Sequence, residues 1–95
     1  YVEDHCSGVW KVLKKGKVGE TYLIGSNCEK SNLEIISSIC KILKKEPKDY
    51  ISYVKDRPGH DFRYAIDSSK IEKELRWKAK VNLKEGLKKT IKHYA

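Results

Sequence analysis

The sequence has no methionine, only two prolines and a single phenylalanine among its 95 residues. Its three cysteines, at 6, 28 and 40, include no Cys-x-x-Cys pair. An odd number without paired spacing supports neither a disulfide framework nor a zinc knuckle, and reduced, cytoplasmic life is the simplest expectation. No apolar run approaches the ~20 residues that cross a bilayer, and no charged-then-apolar opening reads as a signal peptide, so no membrane partner is expected. A Gly-x-Ser-x-Gly elbow and a Gly-rich phosphate loop are both missing, so a self-contained catalyst is not expected. His5, His60 and His93 share no ligand spacing, and no metal site follows from them. Opening on Tyr1-Val2-Glu3-Asp4-His5 without a methionine, the sequence reads as one cut from a longer chain.

What is abundant is lysine. Basic residues number 21 against 13 acidic ones, for a net charge of +8, but only Arg57, Arg63 and Arg76 are arginines. That balance raises a nucleic-acid partner as one alternative. It is weighed below a solvated lysine surface, because base-reading and phosphate-clamping surfaces favour arginine and interleaved aromatics. The lysines instead fall on the outer faces of expected helices, at 11, 14 and 15, at 41, 44 and 45, and at 84, 88 and 92.

At 11.0 kDa the chain is the size of one small domain. Periodicity and punctuation predict a small mixed α/β lobe of about four helices and two to three short strands. Asp4 is expected to cap a first helix whose Cys6, Val9, Trp10 and Leu13 form one apolar stripe, with Gly16 as its left-handed C-cap. Ser31 and Glu34 have capping-box spacing before a second helix, the most apolar, carrying Leu33, Ile36, Cys40 and Leu43. That helix is expected to centre the core and to stop near Lys45, before Pro47. Cys6 and Cys40 are read as small core residues. Short strands are expected at 21–24, 51–54 and 64–66. Asp67 is expected to cap a helix with Ile71 and Leu75 that reaches Trp77. Asn82 and Glu85 open a last one bearing Leu83, Leu87, Ile91 and Tyr94.

One segment concentrates side chains that bind anions. Asp56-Arg57-Pro58-Gly59-His60-Asp61-Phe62-Arg63-Tyr64 holds two of the three arginines, a histidine and a Pro-Gly step. Pro58 fixes the backbone beside Arg57, and Gly59 admits a close approach of the main chain. The planar guanidinium fork matches a diphosphate, and His60 can donate to the same anion or to a sugar hydroxyl. The opposing reading is a surface turn whose arginines pair with Asp56, Asp61 or Asp67, and spacing alone leaves the two even.

Taken in order, the pieces YVEDH (1–5), ETYLIG (20–25), Asn32, DRPGHDFRYAID (56–67), Lys70-Ile71, Glu74-Leu75, Trp77 and Gly86 through Tyr94 resemble the C-terminal part of the dTDP-glucose 4,6-dehydratases. These form a branch of the extended short-chain dehydrogenase/reductase family. The resemblance implies a C-terminal sugar-nucleotide (substrate) binding lobe over residues 1–95, the NAD-binding Rossmann domain lying outside this chain. It implies substrate contacts from Asn32, Asp56, Arg57, Pro58, Gly59 and His60, no catalytic residue, and no cofactor held by the lobe itself. In the family NAD serves a reaction that takes dTDP-glucose to dTDP-4-keto-6-deoxyglucose and water, in an enzyme expected to be a homodimer. The equivalent lobe of a related epimerase or dehydratase is the nearest alternative. Ser26, Cys28, Arg76 and Ala79 stand where the family commonly has Gly, Asn, Gly and Pro.

Overall fold

The computed structural model describes residues 1–60 and 65–94. Among the described residues four α-helices run in order: α1 (Val2–Lys15), α2 (Asn32–Leu43), α3 (Ser69–Leu75) and α4 (Leu83–Tyr94), with a single 3-10 turn at Pro47–Asp49. Among the described residues there is no strand, which corrects the α/β expectation. Residues 21–24 and 51–54 carry β-prone side chains, but a strand exists only through pairing, and neither segment has a ladder partner among the described residues. Tyr64, in the third expected strand, lies outside them; Ala65 and Ile66 are not in a strand.

The chain divides into two compact units, Tyr1–Cys28 with Ala65–Ala95, and Glu29–Tyr64. The first unit holds the buried cluster: Ile71, Leu75 and Trp77, with Val12, Tyr22, Ile24 and Ala79 packed against it. The core therefore centres on α3 and the Trp that follows it, not on α2, where only Cys40 is buried. A seven-residue helix is too short to stand by its own propensity. α3 is held because Ile71 and Leu75, one turn apart, are both buried. Its start is fixed by two acceptors, one near and one far: the Ser69 amide donates to Asp67 Oδ1 at 3.0 Å, and the Ser68 amide to Asn27 Oδ1, 41 positions away, at 3.2 Å. Asp67 thus acts one residue earlier than a cap, with Ser68 at the N-cap position and Trp77 beyond the helix end.

α1 departs most from expectation. Tyr1, not Asp4, stands at its N-cap, and Gly16 is extended (φ −67°, ψ 150°) rather than left-handed. Its packed side carries buried Asp4 and Gly8 and half-buried Val12, while Cys6, Val9, Trp10 and Leu13 face outward. The reason is a close approach. A Cβ at Gly8 would lie 2.9 Å from Ile24 Cγ2 and 3.2 Å from Trp77 Cε2, so the helix packs through its smallest residue. The polar groups on that side are satisfied as well. Asp4 Oδ2 accepts from the Val81 amide at 2.9 Å, and Ser7 Oγ accepts from Trp77 Nε1 at 2.9 Å while donating to the Asp4 carbonyl at 2.8 Å.

Nearby, Lys70 Nζ donates to Glu20 Oε2 at 2.8 Å and to the Thr21 carbonyl at 2.9 Å, and lies 4.8 Å from the Tyr22 ring centroid. Its hydrogen bond to Glu20 raises the Lys70 pKa and lowers that of Glu20. At the start of α4, Asn82 Oδ1 accepts from the Glu85 amide at 2.9 Å, as its spacing predicts.

Arg76 closes α3 in the left-handed region, at φ 53°. A side chain there costs about 1 kcal/mol relative to glycine, which explains why glycine suits this position. Arg76→Gly is accordingly expected to raise the thermal midpoint by several degrees in a circular-dichroism melt; an unchanged or lower midpoint contradicts the strain.

Candidate functional site

The candidate residues all belong to the second unit. Ser31 opens α2 with a complete capping box: its Oγ accepts from the Glu34 amide at 3.1 Å, and its own amide donates to Glu34 Oε2 at 2.8 Å. The Ile35 amide is taken by the Ser31 carbonyl at 3.0 Å. Among the described residues, the amides of Asn32 and Leu33 then have no acceptor, at the positive end of a twelve-residue helix with the Asn32 side chain exposed beside them. Glu34 brings a negative charge to the same turn, but its carboxylate is turned back onto the Ser31 amide. The far end of α2 closes at left-handed Lys44 (φ 58°), and the Lys45 amide donates to the Cys40 carbonyl at 2.8 Å. Pro47 then starts the 3-10 turn, which packs on α2.

The segment at 56–60 is a tight turn. The His60 amide donates to the Arg57 carbonyl at 3.3 Å. Pro58 and a positive-φ Gly59 (φ 74°) occupy the two central positions, the residue pattern of a type II turn. Among the described residues, nothing lies within 4 Å of a Cβ built at Gly59, so it is the backbone conformation there that demands glycine. The turn sets Arg57 and His60 at its two ends.

Charges around the turn bear on the question that spacing left even, for the part of it that falls within the described residues. Asp56 Oδ1 lies 3.9 Å from His60 Nδ1, an exposed pair that attracts only when the imidazole is protonated. The Asp67 carboxylate is engaged by the Ser69 amide, whose hydrogen bond lowers its pKa. Among the described residues, no carboxylate comes within ion-pair distance of the Arg57 guanidinium. Asp61, Phe62, Arg63 and Tyr64 lie outside the described residues.

The structure thus brings Asp56, Arg57, Pro58, Gly59 and His60 together in one turn and places Asn32 in the same compact unit. No hydrogen bond or ion pair joins Asn32 to the turn among the described residues. The two open amides beside Asn32 are an addition, and the Ser31/Glu34 spacing is the signal that locates them. Ser26 and Cys28 line a different feature, a cavity of about 480 Å³ in the first unit, with Asn27, Glu72 and residues 78–83.

Residues 1–90 match the family model described as GDP-mannose 4,6 dehydratase, and the chain belongs to that family. Within it, the chain is similar to enzymes named dTDP-glucose 4,6-dehydratase. It is 46% identical to that of Haemophilus influenzae over 104 residues, covering 99% of this chain and 31% of the relative. The crystal structure of the Bacillus anthracis dTDP-glucose 4,6-dehydratase in complex with NAD matches with a TM-score of 0.89 and 47% identity, over 98% of this chain and 29% of that one. The Streptomyces venezuelae enzyme, with NAD and TYD bound, matches with a TM-score of 0.89 and 38% identity, over 97% and 28% respectively. The chain therefore spans less than a third of the length of these relatives.

NAD is bound in both of those structures. A dinucleotide pyrophosphate is held by a glycine-rich turn between a strand and a helix. The positive-φ glycines described here, Gly19 and Gly59, are isolated, and neither follows a strand. This chain's described residues do not fit NAD, and no step through it is assigned to them. Among those residues, no helix is long and apolar enough to cross a membrane.

Proposed function

We propose that this chain is the nucleotide-diphosphate-binding portion of a dTDP-glucose 4,6-dehydratase, a lyase of nucleotide-sugar metabolism acting in the cytoplasm as a homodimer. In this reading the paired phosphates of dTDP-glucose sit against the 56–60 turn. Arg57 is the bidentate clamp, and His60 is a second donor steadied by Asp56. Pro58 and Gly59 set the shape of the turn, and Asn32 with the open amides of α2 contributes neutral donors. The observation that carries it is the Arg57 guanidinium, presented by a rigid turn and left by the described carboxylates to find its anion elsewhere. The role is binding alone. The parent reaction, NAD-dependent conversion of dTDP-glucose to dTDP-4-keto-6-deoxyglucose and water, needs a hydride acceptor that these residues do not hold.

Calorimetric titration with dTDP tests this. Charge-assisted hydrogen bonds contribute about 1.5–3 kcal/mol, so Arg57→Ala is expected to weaken dTDP binding by roughly ten- to a hundred-fold. Binding heats indistinguishable from those of the unmodified chain would remove Arg57 from the site.

A further inference from the structure

The residues of the nucleotide site are split along the chain, Asn32 near the start of the second unit and the 56–60 turn near its end. What brackets both is the chain on either side. The second unit leaves the first after Cys28, and the first resumes at Ala65. Asn32 follows Asn27 by five residues, and His60 precedes Ser68 by eight. At those two positions the outgoing and returning segments are tied, the Ser68 amide donating to Asn27 Oδ1 at 3.2 Å across 41 positions. Ser68 is fully buried, so the Asn27 oxygen satisfies an amide that solvent does not reach. The same two segments meet further back as well. A Cβ on Gly25 would lie 3.2 Å from Ile66 Cγ2, and Lys70 Nζ donates to Glu20 and to the Thr21 carbonyl. Of these ties, that of Asn27 lies nearest the point where the chain departs into the second unit.

We infer that Asn27 is a positioning residue for the nucleotide site: its bond to Ser68 pins together the two ends of the segment that carries Asn32 and Arg57–His60, and so orders the two parts of the site before a diphosphate arrives. The ligand in this statement rests on the nucleotide reading above; the mechanical link does not. Asn27 is left-handed, at φ 56°. Asparagine is one of the few residues that visit that region routinely, and its side chain also supplies the oxygen. Glycine suits the backbone but has no acceptor, and a longer side chain with an acceptor strains the backbone. Asn27 meets both demands. With its ends pinned, the segment between Asn27 and Ser68 has less freedom to lose when a ligand draws Asn32 and the turn onto one anion.

Asn27→Gly removes the acceptor and keeps a residue at ease with the backbone, and two measurements on the 95-residue chain read the result. The first needs no ligand. The ¹⁵N heteronuclear NOE values of Arg57, Gly59 and His60, far from position 27 along the chain, are expected to fall in Asn27→Gly. They are expected to hold in Asn27→Asp, whose carboxylate still accepts from Ser68. Lys70→Met, which breaks the tie to Glu20 and Thr21 instead, is expected to lower the thermal midpoint and leave the turn as it was. The second is titration with dTDP. Asn27→Gly is expected to weaken binding by roughly three- to tenfold, the size of one lost hydrogen bond, and Lys70→Met to leave it unchanged. An unchanged turn in Asn27→Gly, a turn equally loosened in Lys70→Met or in Asn27→Asp, or a helical signal lost outright in Asn27→Gly overturns the inference. In the last case the bond supports the first unit as a whole and not the site. Equal dTDP affinity in Asn27→Gly and the unmodified chain removes Asn27 from the site and keeps the nucleotide reading. A turn that loosens in a chain with no affinity for dTDP does the reverse, so the two failures are told apart.

Discussion

Trp77→Ala is expected to strip the first unit of much of its stability. Among the described residues, Trp77 is one of three buried apolar residues in its cluster, at 7% exposure, and α1 approaches its ring through Gly8. Truncating a buried Trp costs about 3–5 kcal/mol, against the 5–15 kcal/mol of net stability usual for a whole domain. The substitution also removes the Nε1 hydrogen bond to Ser7, which in turn donates to the Asp4 carbonyl. A urea titration followed by far-ultraviolet circular dichroism should show the helical signal of α1, α3 and α4 lost at much lower denaturant. Trp77→Phe, which keeps most of the volume and loses the hydrogen bond, should fall between the two. A Trp77→Ala chain with an unshifted midpoint would mean that the cluster around Ile71 does not hold the unit together.

Asp4 carries the second large effect, because it links the first turn of α1 to a backbone amide 77 positions away. Asp4→Ala leaves the Val81 amide without its acceptor in a half-buried place, a loss of about 1–3 kcal/mol. The same contact gives a dependence on pH. The Val81 hydrogen bond holds the Asp4 carboxyl below its ordinary value of 3.8, against burial, which pushes it up, and with help from the Lys80 charge. A carboxyl whose pKa is depressed on folding contributes stability that is present above pH 3.8 and is lost as the pH falls through the lower folded value. Denaturant midpoints at pH 7 and pH 3 should therefore drop for the unmodified chain. The drop should be smaller for Asp4→Asn, whose amide oxygen still accepts from Val81 but does not titrate. Glu20 and Asp67, also held low, contribute to the drop in both proteins, so the difference between the two isolates Asp4. Equal drops would contradict the assignment.

How far the sequence speaks for itself depends on whether an element is specified locally. The Ser31/Glu34 box, the Asn82 cap and the Arg57–His60 turn are set by side chains within a few residues of the backbone they satisfy, and all three are found. Asp4 looks like a cap for the same reason and is not one: its partner, Val81, is far along the chain, and spacing cannot reveal it. The α1 stripe was legible as apolar but not as exposed. Periodicity says which residues share a face, whereas the packing of Gly8 on Trp77 decides which face turns inward. The strands failed for a related reason, since β propensity at 21–24 and 51–54 describes side chains suited to a sheet and does not supply a neighbouring strand. In the candidate site, the turn and the opening of α2 were readable. That, among the described residues, neither Asp56 nor Asp67 pairs with Arg57 was not, because charge pairing depends on side-chain placement.

The central claim is that the Arg57–His60 turn and the start of α2 recognise a nucleotide diphosphate. Its most direct test is a ¹⁵N-resolved NMR titration of the 95-residue chain with dTDP. The account predicts dose-dependent shifts of the Asn32 and Leu33 amides together with those of Arg57, Gly59 and His60, the signals of Ile71, Leu75 and Trp77 staying in place. Shifts confined instead to the cavity residues 26–28 and 78–83, or no shift anywhere at millimolar dTDP, would contradict it.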